Sequence, residues 1–335
     1  MGEPLRVIQF GLGPIGCDTA RLVATRPELQ LVAGVDVDPD KAGCSLRAVA
    51  QSDAVPDVPV VASLAEAPAA DVALHTAGSR LDAIADQLRT VLAAGLDCVS
   101  SSEELCWPWY RHPEIAAELD HLATEAGARL LGTGVNPGYV LDLLPVLLTA
   151  PCREVRGVYA RRVVDLGTRR PQLQAKAGFG MTPEEFERLA TEQAIGHVGL
   201  EESVCLIAAG LGWELDGVDF DMEAVLADEA VATPHGQADA GQAVGSRQRA
   251  CGHRGGEGLV ELELEMVAGV AEPHDLVRIA GHPPLTVQVE GGVAGDAATP
   301  ACMVNALRSL RLAPPGLRTA LDLVVPHFVA PATGD

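Results

Sequence analysis

Residues 5–16 read LRVIQFGLGPIG, a short apolar run that ends in glycines at positions 11, 13 and 16. Apolar residues then recur at helical spacing, at Ile15, Ala20, Leu22 and Val23. A second apolar run, LQLVAGVD, ends on Asp36, about twenty residues after Gly16, as a dinucleotide-binding βαβ unit requires. Each part has a use. Gly11 permits the tight turn, Gly13 has no Cβ to hold off a pyrophosphate, and Gly16 lets helix and strand pack closely. Pro14 and Ile15 open the helix, whose N-terminus turns unpaired N–H groups towards phosphates. A glycine turn in an unrelated α/β protein would share the spacing, but not the ordered strand, turn, helix and acidic residue. The carboxylate of Asp36 can accept from the ribose 2′-OH of NAD and repels the 2′-phosphate of NADP, so NAD is favoured. Lys41 lies close enough in sequence to weaken that preference.

The alternation continues outward from this unit. ADVALHTA, LDCVS and ARLLGTG read as buried strands. SRLDAIADQLRTVLAAG reads as an amphipathic helix closing on Gly95, and His112-Pro113 opens another. Strand–helix alternation predicts an α/β fold, a Rossmann-type doubly wound parallel sheet over residues 1–135. After about residue 150 the pattern changes. REVRGVYARRVVD, GLVELELEMVAG and LTVQVEG read as strands, and EESVCLIAAGLG as a helix. The chain from residue 136 is therefore expected to form a second, α+β domain on a mixed or antiparallel sheet, a natural surface for substrate binding and dimerisation.

Composition excludes several function classes. The 335 residues carry a net charge of −22, which argues against nucleic acid and anionic membranes as partners. The eight cysteines are scattered with no C-x-x-C pair, and the histidines show no H-E-x-x-H spacing, so no metal site is predicted. The opening MGEPLRVIQFG lacks a basic stretch before an apolar core, and no apolar run reaches membrane-spanning length. The expected setting is the cytoplasm, with reduced thiols.

Three strand ends hold the candidate chemistry. CVSSSEELCWPWY follows a strand at the carboxyl edge, where open α/β sheets bind ligands. Ser101-x-x-Glu104 fits a capping box, which accounts for Glu104 and leaves Glu103 for chemistry. A carboxylate beside a nicotinamide could stabilise an iminium cation and take a proton from attacking water. In HTAGS, at 75–79, His75 reads as a packed residue, whereas Thr76 and Ser79, together with Ser101, are candidate cofactor contacts. GTGVNPGYVLD, at 132–142, reads as a tight turn or mobile junction leading into an apolar helix. The Asn136 amide could meet the nicotinamide carboxamide or a polar substrate group. The three ends, near 76, 101 and 134, are expected to converge on one crevice.

Together FGLGPIG, VDVDPDKAG, HTAGS, VSSSEELCWPW, GTGVNPGYVLD, RRVVDLGTRRPQLQAKAGFG and HVGLEESV resemble the 2,4-diaminopentanoate dehydrogenase family. That family includes the native amine dehydrogenases and is related to dihydrodipicolinate reductase. The resemblance covers nearly the whole chain and is strongest at 6–16, 98–109 and 132–142. It implies reversible NAD- or NADP-dependent deamination of a small primary amine, the reverse being reductive amination of a ketone or aldehyde with ammonia. It implies a catalytic glutamate in EEL, carried to Glu103 first and Glu104 second. It also implies a homodimer, and a C-terminal segment, 300–330, that returns to complete the nucleotide domain.

Substrate contacts are read more openly. Arg161 and Arg162 point to opposite faces of a strand, so one could clamp a substrate carboxylate, or be ion-paired within the protein. Arg162 is the candidate. GTRRPQLQAKAGFG is a plausible lid loop between Gly167 and Gly178. Tyr139, Phe179 and Met181 would make an apolar wall or belong to the core, and His197 is a candidate pocket residue. A cyclic-imine reductase and a non-catalytic NAD(P) sensor are the alternative functions.

Overall fold

The computed structural model describes residues 3–330. The opening Met1 and Gly2, read above for a targeting signal, and 331–335 lie outside it. The chain forms two compact units, one holding the chain up to Tyr139 and again from Ala294, the other Val140–Val293. These seams fall a few residues from the expected 135/136 and 299/300.

The first unit opens with β1 (Leu5–Phe10), α1 (Pro14–Ala24), β2 (Leu29–Val35), α2 (Leu46–Ala50) and β3 (Val60–Val61). It continues with β4 (Val72–His75), α3 (Leu81–Ala93), β5 (Asp97–Ser100), α4 (Pro113–Ala126) and β6 (Arg129–Gly132). Proline starts α1 and α4, where its missing N–H costs nothing, and Gly127 ends α4 at φ +66°.

The second unit begins with α5 (Leu143–Leu148) and β7 (Glu154–Asp165), then α6 (Pro171–Lys176), α7 (Pro183–Thr191) and α8 (Leu200–Gly210). The remaining strands are β8 (Gly217–Leu226), β9 (Val231–Thr233), β10 (Gly236–Ala238), β11 (Ala243–Arg254), β12 (Glu257–Val267), β13 (His274–His282) and β14 (Leu285–Glu290). Six of this unit's eight strands, β7 included, form one sheet in the order β14-β13-β7-β12-β11-β8, with β9 and β10 a separate ribbon. Only β7 and β12 pair in parallel, so the sheet is mixed. The period-two pattern of GLVELELEMV explains its faces. Leu262, Leu264 and Met266 are buried, on the opposite face from Glu263 and Glu265. α8 packs against β11 and β12. Glu263 and Glu265 instead pair with Arg161 and Arg247 across the strands. The expected lid loop is not simply a loop. α6 lies within it, and the buried Gln174 bonds Leu166 O, Arg169 O and Thr233 Oγ1, tying the segment to the β9–β10 ribbon.

The chain then returns to the first unit as α9 (Gly295–Leu310) and β15 (Gly316–Arg318). β15 has no strand signal of its own in the sequence. It completes a seven-stranded sheet, β15-β6-β5-β4-β1-β2-β3, with every pairing parallel. Its two faces feed two cores, with an irregularity at Val32 shifting the alternation in β2. Val7, Leu31, Leu74 and Val99 pack with Ala20 and Val23 of α1 and Met303, Leu307 and Leu310 of α9. Ile8, Ala33, Ala73 and Cys98 pack with Ile84, Leu88 and Leu92 of α3 and Leu119 and Ala123 of α4. Strand order reverses between β1 and β4, the switch point outside which such sheets bind ligands.

Candidate active site

At the switch point the glycine turn is built as its spacing predicts. Gly11 adopts φ +83°, open to glycine and costly for other residues. A Cβ on Gly16 would lie 1.9 Å from Gly11 O and 2.7 Å from Thr76 Oγ1, so only glycine lets α1 approach this closely. A Cβ on Gly13 would meet nothing within 4 Å, which leaves its backbone open above the start of α1. Thr76 belongs to the support of this turn. Its hydroxyl donates to Gly11 O (2.8 Å) and accepts from Gln9 Nε2 (3.1 Å), with Gln9 fully buried. Asp36 closes the other side, its Oδ2 accepting from Leu12 N–H (2.7 Å) and its Oδ1 from Asp38 N–H (2.9 Å). Open backbone at a helix N-terminus with a carboxylate beside it fits a dinucleotide pyrophosphate and ribose. Pro14 and Ile15, exposed and half-buried at the head of α1, flank that space.

The three expected strand ends come together within this unit. Thr76 N–H bonds Phe10 O, Ser101 N–H bonds His75 O, and Thr133 N–H bonds Ser100 O, stepping across the sheet edge. Ser102 Oγ–H donates to Ser79 O (2.9 Å), which joins the loops after β4 and β5. Gly132 is packed so tightly on the turn at 104–106 that a Cβ would sit 2.4 Å from the Leu105 carbonyl carbon. The loop 133–138 is buried, and Val135 N–H donates to Thr299 Oγ1 of α9 (3.3 Å). Asn136 is buried in it, and Tyr139, the unit's last residue before α9, is half-buried.

The two glutamates part company here. The capping box at Ser101 does not form, because the short 3-10 turn that follows (Glu104–Cys106) takes Glu103, not Ser101, as its N-cap residue and has no side-chain cap. The Glu104 carboxylate is 2% exposed. Its Oε2 accepts from Leu81 N–H (2.7 Å) and lies 2.9 Å from His112 Nε2, with Arg80 3.8 Å from Oε1. Glu104 thus caps α3, whose own N-cap residue, Arg80, makes no side-chain cap. Glu103 stands beside it, half-buried, at the carboxyl end of β5. His75 is a packed residue. It is fully buried, 2.9 Å from both Ser100 Oγ and Gln87 Oε1, and burial pushes its pKa down to about 4.

In the second unit the expected substrate residues divide. Arg162 is not an open clamp. It is 4% exposed, with Nη1 2.9 Å from both Asp275 oxygens and Nη2 donating to Val293 O (2.5 Å). Burial lowers the Arg162 pKa and raises that of Asp275, against their mutual attraction. Phe179 packs on a small apolar cluster of Ala227, Ala238, Val244 and Val267, so it serves the core. Met181 is half-buried after that segment. His197 is held by a residue that sequence reasoning missed. The buried Gln248 accepts from His197 N–H (2.8 Å) and donates to its C=O (2.9 Å). Nothing local marks Gln248, which lies on β11, far along the chain.

Residues 139–334 match the 2,4-diaminopentanoate dehydrogenase C-terminal domain. The whole chain is similar to the 2,4-diaminopentanoate dehydrogenase of Acetoanaerobium sticklandii, 32% identical over 337 residues, covering 98% of this chain and 95% of that protein. An amine dehydrogenase of Streptomyces virginiae is 26% identical, with 95% of this chain and 96% of that protein covered. The fold is shared with the solved structure of an amine dehydrogenase from Mycobacterium smegmatis, at a TM-score of 0.86 and 22% identity over 97% of each chain. The chain therefore belongs to the 2,4-diaminopentanoate dehydrogenase family.

Proposed function

We propose that this protein is a nicotinamide-dependent amine dehydrogenase with Glu103 as its catalytic carboxylate. The observation that carries the choice is the commitment of the buried Glu104 to Leu81 N–H and His112, with Glu103 half-buried beside it at the same strand end. Gly11, Gly13, Gly16 and the head of α1 would hold the pyrophosphate, with Asp36 at the ribose. Bound there, the nicotinamide supplies a hydride acceptor for the amine, or a hydride donor in the reverse direction. Asp36 and its acidic neighbours Asp38 and Asp40 favour NAD(H) over NADP(H).

The work of Glu103 follows from its charge. Oxidation of a neutral primary amine at Cα leaves an iminium cation, which a carboxylate stabilises. The same carboxylate takes a proton from the water that attacks this carbon, and ammonia then leaves. In the reverse direction Glu103 returns those protons while a ketone or aldehyde condenses with ammonia. Substrate roles for Tyr139, Met181 and His197, and for Asn136, Ser79 and Ser101 at the cofactor, belong to this proposal. So does a homodimer formed through the ion-paired face of the second unit's sheet. Among the described residues none of the eight cysteines is in a disulfide, which suits a reducing cytoplasm.

The test follows reduced-nicotinamide absorbance with ammonium and a panel of short ketones and aldehydes, with ammonia-free controls. Ammonia-dependent oxidation is expected. Glu103→Gln should abolish turnover and keep cofactor affinity. Glu104→Gln should instead lower stability by about 1–3 kcal/mol, as a buried charged acceptor is lost. Full turnover by Glu103→Gln would sink the assignment, as would loss of cofactor binding along with turnover.

A further inference from the structure

The carboxyl end of β2 carries more than Asp36. Lys41 Nζ lies 3.2 Å from Asp36 Oδ2 and 3.3 Å from Asp38 Oδ2. Burial works against its charge, but the bonds to Asp36 and Asp38 outweigh it and raise the Lys41 pKa. No other lysine or arginine occurs in 36–45, which also holds Asp38 and Asp40. The flanking cations are committed elsewhere. Arg21 Nε donates to Ala50 O, with Nη1 on Asp18, and Arg47 Nε donates to Val55 O.

We propose that Lys41 is the residue that lets this ribose site accept a 2′-phosphate as well as a 2′-hydroxyl. The inference rests on the dinucleotide reading of the glycine turn. Asp36 is held facing that turn by Leu12 N–H, so the 2′ position of a bound ribose falls to its carboxylate. A phosphate monoester there brings roughly −1.5 to −2 of charge against Asp36, Asp38 and Asp40. Lys41 changes that balance. Its ammonium is a mobile point charge with three donors on a flexible stem, and its side chain keeps 29% of its surface in solvent. It can keep one donor on Asp36 and turn another to the phosphate, at once screening the carboxylate and binding the ligand. With a ribose diol it neutralises part of Asp36 and needs no rearrangement. The site therefore prefers NAD(H) and also admits NADP(H), and Lys41 sets the ratio.

The experiment is an equilibrium titration of the purified protein with NADH and with NADPH, read by the fluorescence of the reduced nicotinamide. Wild type, Lys41→Met and Lys41→Arg are compared, each with a thermal melt to show that it is folded. Wild type should bind both cofactors, NADH more tightly. Loss of one charge-assisted phosphate contact should shift the NADH/NADPH affinity ratio of Lys41→Met against NADPH by about tenfold or more. Lys41→Arg should keep most of the NADPH affinity. A wild type that binds NADH and not NADPH overturns the proposal, as does an unchanged ratio in Lys41→Met. A folded wild type that binds neither cofactor overturns the nicotinamide reading itself, and the role of Lys41 with it.

Discussion

Gly13→Ala separates the folding role of the glycine turn from its binding role. Gly13 is the N-cap of α1 at φ −70° and ψ −175°, extended backbone that alanine adopts without strain. An added Cβ meets no atom within 4 Å beyond its chain neighbours. At an N-cap, alanine is worse than glycine by about 0.5–1 kcal/mol. Loss of glycine freedom in the unfolded chain returns about 0.4–1 kcal/mol. These offset, so the melting temperature should move by less than about 3 °C. Binding is another matter, because the methyl occupies space that a pyrophosphate needs. Overpacking costs about 1–3 kcal/mol, so NADH affinity should fall by roughly 5- to 150-fold. Gly16→Ala is the contrast. Its Cβ would collide with Gly11 O at 1.9 Å, so stability and binding should fall together. Calorimetric melts and NADH fluorescence titrations read both quantities. A Gly13→Ala protein that binds NADH as tightly as wild type would show that no pyrophosphate crosses this residue.

Two further perturbations probe buried polar groups. Arg162→Met strands Asp275 without its cation and removes a bond to Val293 O, so denaturant titration should show a loss of about 3–5 kcal/mol. Adding Asp275→Leu should recover much of it, and a loss below about 1 kcal/mol in the single variant would refute the buried pair. His75 titrates in the opposite sense to a salt-bridged histidine. Its folded pKa, about 4, is depressed below the ordinary 6.5, so its contribution is complete above about pH 6.5 and is lost as pH falls towards 4. The span amounts to about 3 kcal/mol, and His75→Gln should lack this component of the acid dependence. Equal pH slopes for the two proteins between pH 4 and 6.5 would mean that His75 charges freely in the fold.

Period and punctuation made much of the fold legible. The two-residue repeat of β12, the helical spacing after Gly13, and the prolines at the heads of α1 and α4 are local, and local physics decided them. β15 escaped because three residues, Gly316–Arg318, make a strand only when β6 offers its edge. The interior of the lid segment escaped for a similar reason, since α6 is anchored by Gln174 to Thr233 on a distant ribbon.

The acids of EEL show where local reading ends. Ser101 and Glu104 have the right spacing for a capping box, and nothing in that stretch says otherwise. The competing partner lies elsewhere. α3 begins at Leu81 behind an arginine that cannot accept a hydrogen bond, so its first N–H groups and the positive end of its dipole need an acceptor. The 3-10 turn after β5 brings Glu104 to Leu81 N–H at 2.7 Å, and His112 closes the other side at 2.9 Å. A carboxylate fixed by those partners cannot also follow the changing charge of a substrate carbon without uncapping α3. Two adjacent glutamates, equivalent as letters, are thereby told apart: Glu104 holds the scaffold, and the chemistry proposed above falls to Glu103. The sorting is done by a missing cap on a helix that starts more than twenty residues earlier.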